Sequence, residues 1–404
     1  MIRSLSIRSL KFASLVLGCV LALCGRVAAQ ATVSDVVGFL VTNQAVETGD
    51  LPKDKRAAEA ARDAISKALL LDLTSVPLAT ASSGFLYRLN PELGTVERAT
   101  DSFGGFFVER ALTPGNGHAS FGVSTSTASF DRFDGRNLRD GALVTVANQF
   151  RDENTPFDTE SLILHLRSSV MTLFGSVGIG SRVEIGAAVP LVQLTLDGQR
   201  IENYRGTLLV QALGNGTASG LADIALRGKV NLLATRTGGV AAAGEVRLPT
   251  GDETNLLGAG KASLRLMGIG SLERGAFGLH GNAALIMGGI SSEYDFGGAV
   301  SIAVAPRVTV SGEGLVRRVT ELHSLALVSA PHPILRGDPQ RGIAPVDTFR
   351  LSPSLGAQTL AGIVTGVKWN VAHTLVIGGH LNWPLTRGGL TAPLTPTVAL
   401  EYAF

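Results

Sequence analysis

Charged side chains recur at every second position within apolar stretches of this sequence. In "LADIALRGKVNLL", Asp223, Arg227 and Lys229 share one parity and aliphatic residues share the other. A strand places alternate residues on opposite faces, so such stretches predict strands with one charged and one apolar face. Enclosed charges must pair or be hydrated, so the charged faces predict a lumen that guides a polar solute or a closed, ion-paired interior. The residues predicted to line this lumen are Arg167, Asp223, Arg227, Lys229, Glu245, Arg247, Lys261, Arg265, His280, Glu313, Arg317, His380 and Glu401.

The sequence gives little support for a catalytic site or a metal-binding site. His118 and Ser120 lie two positions apart, which places them on one strand face, as a general base and a nucleophile would require. The sequence offers no evident third group for them. The seven histidines show neither H-x₃-H nor H-E-x-x-H spacing, and "LPTGDETN" has the composition of a solvated turn. We therefore expect no enzyme activity, no cofactor and no metal site.

Residues 1–29 have the composition of an export signal. A cationic start precedes an apolar run over residues 12–24, which is too short to span a membrane, and small residues favour cleavage after Ala29. The alternative is a buried N-terminal helix. Both cysteines, Cys19 and Cys24, lie here, so the mature chain is expected to contain no disulfide or thiolate site. Four of the 35 basic residues also lie here, which leaves 31 against 33 acidic residues and gives no indication of nucleic-acid binding.

The composition excludes membrane-spanning helices and favours strands. The mean hydropathy is +0.28, although 17% of the residues are charged. Beyond the leader we find no run of about 18 apolar residues without a charge, so helical spans are excluded. A closed β-barrel is the other structure that satisfies its own backbone in lipid. A soluble sandwich also shows alternation, but its connections need not alternate in length as these do.

The alternating pattern predicts an all-β fold, an antiparallel transmembrane β-barrel of about 12 strands with a short helical N-terminal extension. Links over 135–158, 198–218, 250–258 and 323–354 are long, and most others are short; the link near Ser291 breaks this alternation. Outer-membrane barrels have short periplasmic turns and longer outer loops, so an even strand count places both barrel ends in the periplasm. The predicted strands are 118–134, 159–176, 182–197, 219–234, 239–249, 259–273, 275–289, 292–305, 307–322, 355–370, 373–387 and 394–404.

The chain ends in "TVALEYAF", in which Val398, Leu400, Tyr402 and Phe404 share one strand face. Facing lipid, they would place the terminal aromatic rings in an interfacial girdle. The ending resembles the C-terminal signal that the barrel-assembly machinery recognises, so Tyr402 and Phe404 are predicted to form that signal.

Residues 30–117 differ from the rest. "LPKDKRAAEAARDAISKALLLDL" predicts a helix, "SDVVGFLVTNQAV" a shorter one, and a hairpin is predicted to turn at "NPELG". Residues 30–117 are too few and too polar to form an independently stable domain. They would act as a plug inside the barrel or as a periplasmic segment, and we favour contact with the lumen.

Three stretches, "GSRVEIGAAVPLV", "ASGLADIALRGKVNLL" and "AAAGEVRLPTGDETNLLGAGKASLRL", resemble successive hairpins of the phenol-degradation meta-pathway outer-membrane proteins. That family is distantly similar to the barrels that import fatty acids and aromatic hydrocarbons. The resemblance covers residues 118–404, with "LPTGD" at 248–252 as its most recognisable part. It implies an outer-membrane transporter, and it carries over no ligand-binding residue.

The sequence thus predicts a signal peptide (1–29), an N-terminal helical and hairpin extension (30–117) and an outer-membrane barrel (118–404) in a Gram-negative bacterium. The expected partners are outer-membrane lipid, the barrel-assembly machinery and a small-molecule solute. The first functional hypothesis is passive diffusion of small solutes, hydrophobic or aromatic ones among them. The alternative is a non-conducting structural or adhesive barrel that acts through its outer loops, and a lipid enzyme at the edge of the lumen is a third.

Overall fold

The computed structural model describes residues 32–42, 45–74, 87–90, 95–98, 102–235, 237–372 and 374–404. The predicted signal peptide, 1–29, lies outside these residues. The described chain contains helices α1 (Val33–Val41) and α2 (Leu51–Thr74). Its strands are β1 (Tyr87–Asn90), β2 (Thr95–Arg98), β3 (Ala119–Phe130), β4 (Arg132–Phe133), β5 (Arg136–Asn137), β6 (Leu143–Phe150), β7 (Asp158–Ile179), β8 (Val183–Tyr204), β9 (Thr207–Leu221), β10 (Ala225–Thr235), β11 (Gly238–Arg247), β12 (Ser263–Arg274), β13 (Phe277–Gly288), β14 (Glu293–Ala305), β15 (Val308–Pro331), β16 (Val346–Asn370), β17 (Leu375–Pro384), β18 (Leu390–Thr391) and β19 (Thr395–Ala403).

Twelve of these strands close into an antiparallel barrel, which confirms the predicted fold. Their order around the barrel is β3, β7, β8, β10 to β17 in sequence, and β19. The first and last strands close the ring, with Ser120 opposite Ala403 and Ser126 opposite Thr397. Closure leaves the barrel itself without an unpaired edge, as lipid requires.

The two ends of the barrel differ in their connections. At one end, short turns join β7 to β8 (180–182), β12 to β13 (275–276) and β14 to β15 (306–307). Outer-membrane barrels have their short turns at the periplasmic end, so we call this end the periplasmic end and the opposite one the outer end. At the other, outer end, several strands continue beyond the barrel wall: β8 pairs with β9 as far as Tyr204, and β15 pairs with β16 as far as Pro331. The strand β6 pairs with both β7 and β16 at this end.

These extensions correct the prediction that 198–218 and 323–354 are loops, since most of both ranges is paired strand. Each range contains the outer part of a hairpin, which is β8 with β9 in the first range and β15 with β16 in the second. The predicted strand 219–234 is likewise two strands, because the chain leaves the ladder around Asp223. The Asp223 carboxylate instead accepts hydrogen bonds from the amides of Gly251 (3.0 Å) and Ala259 (2.8 Å).

The outer surface of the barrel is apolar and carries aromatic rings near the periplasmic end. Phe121, Phe277, Trp369, Tyr402 and Phe404 are exposed there. The Tyr402 ring lies 5.7 Å from that of Phe121 and 6.1 Å from that of Phe404. This arrangement matches an interfacial girdle. Neither described helix is long and apolar enough to cross a membrane.

The two helices pack against the inner face of the strands at the outer end. A capping box between Thr32 and Asp35 starts α1. Leu40 of α1 approaches Gly198 of β8 and Gly214 of β9, where the missing side chains leave room for it. The buried cluster shared by helices and strands contains Val33, Val37, Leu40, Ile65, Leu69, Leu162, Leu164, Leu166, Leu194 and Leu196.

This packing corrects the predicted position of Arg167. The apolar residues of β7, among them Leu164 and Leu166, face inward and are buried against the helices. Arg167 has the opposite parity, so it is exposed on the outer side of the strand. Sequence parity shows which residues share a face, but an apolar face that meets a helix has the same pattern as one that meets lipid.

Candidate functional site

Residues 102–113 lie inside the barrel, where inward-facing side chains bind their backbone. The Glu313 carboxylate accepts hydrogen bonds from three consecutive amides: those of Phe106, of Phe107 at 2.8 Å and of Val108 at 2.7 Å. The Lys368 ammonium donates to the carbonyl of Gly105. A backbone segment away from water needs such partners, and charged side chains of the barrel provide them.

The opposite wall holds the second half of this luminal segment. Lys229 donates to the carbonyls of Arg110 (3.3 Å) and Leu112 (3.1 Å) and pairs with Glu184 at 2.7 Å. Asn231 donates to the carbonyl of Ala111 at 2.8 Å. Lys229 is therefore a structural cation that fixes the luminal segment to β8 and β10.

Two further contacts from the predicted residues complete the attachment. Arg227 pairs with Glu109 of the luminal segment. His280 lies between two serine hydroxyls, with Nδ1 at 3.1 Å from Ser271 Oγ and Nε2 at 3.2 Å from Ser301 Oγ. Ser271 Oγ in turn accepts from the Ala111 amide at 2.9 Å.

His380 packs against the same segment through its ring. Its centroid lies 4.5 Å from that of Phe106 and 5.4 Å from that of Phe107. Both luminal histidines thus have partners, which lie in the wall for His280 and in the luminal segment for His380. Among the described residues, no three His, Cys, Asp or Glu side chains are grouped so as to hold a metal ion.

A cavity of about 240 Å³ lies between the luminal segment and the end of α2. One wall is a row of ion pairs on β11, β12, β14 and β15. These are Glu245 with Arg247 (2.9 Å), Arg265 with Asp295 (3.3 Å), and Arg317 with Glu293 (2.6 Å) and Asp295 (3.8 Å). Because each cation has an anionic neighbour, the wall offers dipoles rather than a single-sign field.

Among the described residues, the side of the cavity formed by residues 360–395 contributes no charged side chain to the lining. It presents the polar residues Asn382, Thr386 and Thr395 beside Leu360 and Leu390. A solute in this cavity would meet ion pairs on one side and neutral polar and apolar groups on the other. Such an amphipathic lining suits a small molecule with both polar and apolar parts.

Asp72 closes the cavity from above, at the end of α2. Burial raises the pKa of its carboxyl group to about 6, and the nearby Arg317 guanidinium partly offsets this effect. The protonation of this group therefore changes in a range just below neutral pH.

Sequence reasoning missed Glu293 and Asp295, which supply the anions of the charged wall. The signal was present in "EYDF", where both acids alternate with the exposed aromatic residues Tyr294 and Phe296. The acidic and basic residues of the luminal segment, Glu109 among them, could not be found by parity, because residues 102–113 form no strand.

The remaining predicted residues lie in different surroundings. Glu401 is buried on the inner face of β19. Lys261 is exposed and precedes β12, which begins at Ser263, so its predicted place in a strand was wrong. The glycine before it, Gly260, has a φ of +65°, a turn conformation that interrupts the extended chain. The hydroxyl of Ser120 lies 3.4 Å from that of Ser176 on the neighbouring strand.

Comparison with known proteins gives similarities of structure alone. No family model matches the sequence, and no curated protein matches it. An outer membrane channel from Pseudomonas putida F1 is 11% identical, with 73% of this chain and 98% of that chain covered and a TM-score of 0.43. OprB of Pseudomonas putida is 9% identical, with 71% and 93% covered and a TM-score of 0.30. The translocator domain of the autotransporter NalP from Neisseria meningitidis is 10% identical, with 72% and 89% covered and a TM-score of 0.31. The resemblance to the phenol-degradation barrels stays a prediction.

Proposed function

We propose that this protein is an outer-membrane channel for a small solute, closed on its periplasmic side by residues 102–113. The observation that carries the proposal is the cavity inside the barrel, which has the luminal segment as its floor. An ion-paired wall facing a neutral one would orient a small molecule by its polar end. Passive diffusion would then require the luminal segment to move aside.

The luminal segment can move without opening the barrel. Side chains such as Glu313 and Lys229 hold it, and it contributes no strand to the sheet. Its displacement would break these contacts but none of the strand pairings that close the wall. Residues 30–117 would then act as a plug, and solutes with an apolar or aromatic part would suit the Leu360 and Leu390 side of the cavity.

The second candidate function is a non-conducting structural or adhesive barrel. It is favoured by the number of buried contacts at the luminal segment, which include Glu313 and the pair Lys229–Glu184. Charges buried with well-matched partners fix a structure firmly, and separating them is costly. A barrel with this interior would present its long outer hairpins and pass no solute.

A disulfide that can be formed and then reduced would distinguish the two candidate functions. A Cβ atom added at Gly297 would lie 2.8 Å from a γ-carbon of Val108, where the sulfur of a cysteine would be. Cysteines at Val108 and Gly297 are therefore compatible with the spacing of a disulfide, about 3.5–4.5 Å between Cβ atoms. The Val108→Cys/Gly297→Cys variant would hold the luminal segment to β14 when oxidised and release it when reduced.

The measurement is planar-bilayer conductance of the mature protein and of this variant. We expect openings from the wild type, silence from the oxidised variant, and recovery after reduction. Val108→Cys/Gly298→Cys is the matched control, because Gly298 faces outward with open space around it. Equal conductance of the oxidised and reduced forms would show that residues 102–113 are not the closure. Silence of the folded wild type and the reduced variant would support the non-conducting barrel.

A further inference from the structure

The strand β9 ends the sheet at the outer end of the molecule. Within the part of the chain that the structure describes, it pairs with β8 and with no second strand. The β8–β10 pairing of the barrel wall ends at Ala188 opposite Ala225, and β9 takes the place beside β8 from Leu191 outward. The free edge of β9 therefore lies above the lipid, in the extension of the wall.

The tip of this edge is apolar and unprotected. Leu208, Leu209 and Val210 have 68%, 48% and 58% of their surfaces exposed. Residues 206–222 contain neither a charged residue nor a proline. Proteins usually protect an exposed edge strand with lysines, prolines or a covering segment. The pairing of β9 with β8 has one register shift, between the pairs Arg200–Ala212 and Ile201–Val210. Residues Leu208 to Val210 lie between this shift and the hairpin turn, so the shift does not interrupt the apolar tip.

The other long outer hairpin shows the contrast. The extension of β16 pairs with β6 on its second side, and the connection over 332–345 contains prolines and charges. That edge of the hairpin is thus covered by the chain itself. Its other edge, on β15 beyond Val319, pairs with β16 alone, but the side chains of Asp134 and Arg136 bind the Leu325 amide and carbonyl there. Among the described residues, the edge of β9 has no second strand, and residues 206–222 contain no charge or proline that would protect it.

The chemistry of the edge specifies what can cover it. A free strand edge presents backbone N–H and C=O groups in alternation, and another extended strand matches that pattern. Lipid tails provide no such partners. An antiparallel edge is complementary to itself, since a two-fold axis perpendicular to the sheet pairs it with its own copy. Copies in two facing membranes are related by an axis parallel to the membranes, which reverses the strand direction as antiparallel pairing requires.

We propose that β9 pairs with β9 of a second copy in a facing membrane, so that the protein joins two membrane surfaces. A register centred on Leu209 places Leu209 opposite itself and Leu208 opposite Val210 of the second copy. This register brings all the exposed apolar tip residues together and leaves no charge in the contact. The proposal is independent of conduction through the lumen, because β9 lies outside the barrel wall.

Cross-linking tests the two-fold register. Residues directly opposite in an antiparallel pair have Cβ atoms about 4.5–5.5 Å apart, close enough for a disulfide after a small adjustment. The Leu209→Cys variant, in proteoliposomes under mild oxidation, should form covalent dimers at least tenfold faster than Leu213→Cys. Leu213 is equally accessible, with 71% of its surface exposed, but lies away from the axis. Equal rates for the two variants would overturn the register.

Vesicle aggregation tests the facing-membrane arrangement. Proteoliposomes of the mature protein should aggregate, as measured by turbidity, and Leu208→Lys/Val210→Lys should abolish the effect by placing like charges opposite each other. The matched control is Ile334→Lys, an exposed apolar residue on the other outer hairpin, which should aggregate like the wild type. Dispersed wild-type vesicles, or aggregation that survives the double lysine change, would overturn the proposal. Cross-linked dimers confined to one nanodisc would instead identify pairing within a single membrane and would also overturn it.

Discussion

The Glu313→Gln substitution replaces one of the two carboxylate oxygens that bind the luminal segment by an NH₂ group. The carboxylate receives three amides of the luminal segment, two of them on the same oxygen, at 2.8 Å from Phe107 and 2.7 Å from Val108. Glutamine keeps one acceptor oxygen, which would serve these two. Its NH₂ group would then face the Phe106 amide, and two donors cannot bond to each other.

The size of the effect follows from the contacts that change. A hydrogen bond to a charged group contributes about 1.5–3 kcal/mol, and a neutral one about 0.5–1.5 kcal/mol. Losing the bond from Phe106 and weakening those from Phe107 and Val108 should therefore reduce the free energy that holds the segment by about 3–5 kcal/mol. Displacement of the segment should become roughly a hundredfold to several thousandfold more frequent.

Hydrogen–deuterium exchange in lipid nanodiscs measures this directly. The amides of residues 106–108 should exchange faster in Glu313→Gln by the stated factor, and the open probability in bilayers should increase with it. Glu293→Gln is the control, because Glu293 accepts hydrogen bonds from Arg317 on the cavity wall. Unchanged exchange at these amides in Glu313→Gln would refute the reasoning, as would an equal increase in the control variant.

Three further perturbations have outcomes that the structure determines. Gly378→Val should push aside the Phe106 ring, which a Cβ atom would meet at 3.2 Å, and should loosen the luminal segment by about 1–3 kcal/mol in the same exchange assay. Lys229→Met should lower the free energy of unfolding by about 3–5 kcal/mol, measured by heat- and urea-dependent gel migration, because Glu184 is left buried without its cation. Burial raises the pKa of Asp72 to about 6, so between about pH 4 and about pH 6 the native state binds more protons than the unfolded chain. Docking of α2 should therefore weaken as pH rises through this range, which proteolysis of α2 would measure. Asp72→Asn should remove this pH dependence.

Each of these three predictions has a control. Gly314→Val adds a side chain to an outward glycine with open space around it and should leave exchange unchanged. Glu184→Leu combined with Lys229→Met removes both charges and should recover most of the lost stability. A pH dependence that persists in Asp72→Asn would assign the titration to another group.

The barrel was predictable from sequence because lipid imposes a uniform apolar face on one side of each strand. Along β10 to β15, residues such as Arg227, Glu245 and Glu313 fall on the inner face as parity predicts. The rule fails for β7, where the inner face is also apolar because helices cover it. An alternating pattern shows that two faces differ, and tertiary contacts decide which of them is inside.

The candidate site was only partly predictable for a related reason. The barrel side of the contact, including Lys229 and His280, was visible as alternating polar residues. The other side, residues 102–113, has no periodicity, since its backbone is held by side chains and not by a ladder. Nothing in such a stretch indicates its partners, and those such as Glu313 and Lys229 are more than a hundred residues away in sequence.

The position of the N-terminal residues constrains how the molecule assembles. Helices α1 and α2 lie at the outer end, residues 102–113 lie in the lumen, and β3 begins at the periplasmic end, so the polypeptide is threaded through its own barrel. The contact that closes the ring, between β3 and β19, joins the most distant parts of the barrel sequence and has the largest loop to close. Enclosing the N-terminal residues before that seam forms would avoid threading them through a finished barrel, so we expect the growing sheet to wrap around them. A folded domain inserted between α2 and residue 102 would have to be accommodated by the unclosed seam, which would set an upper limit on the size of an insertion that this barrel can accept.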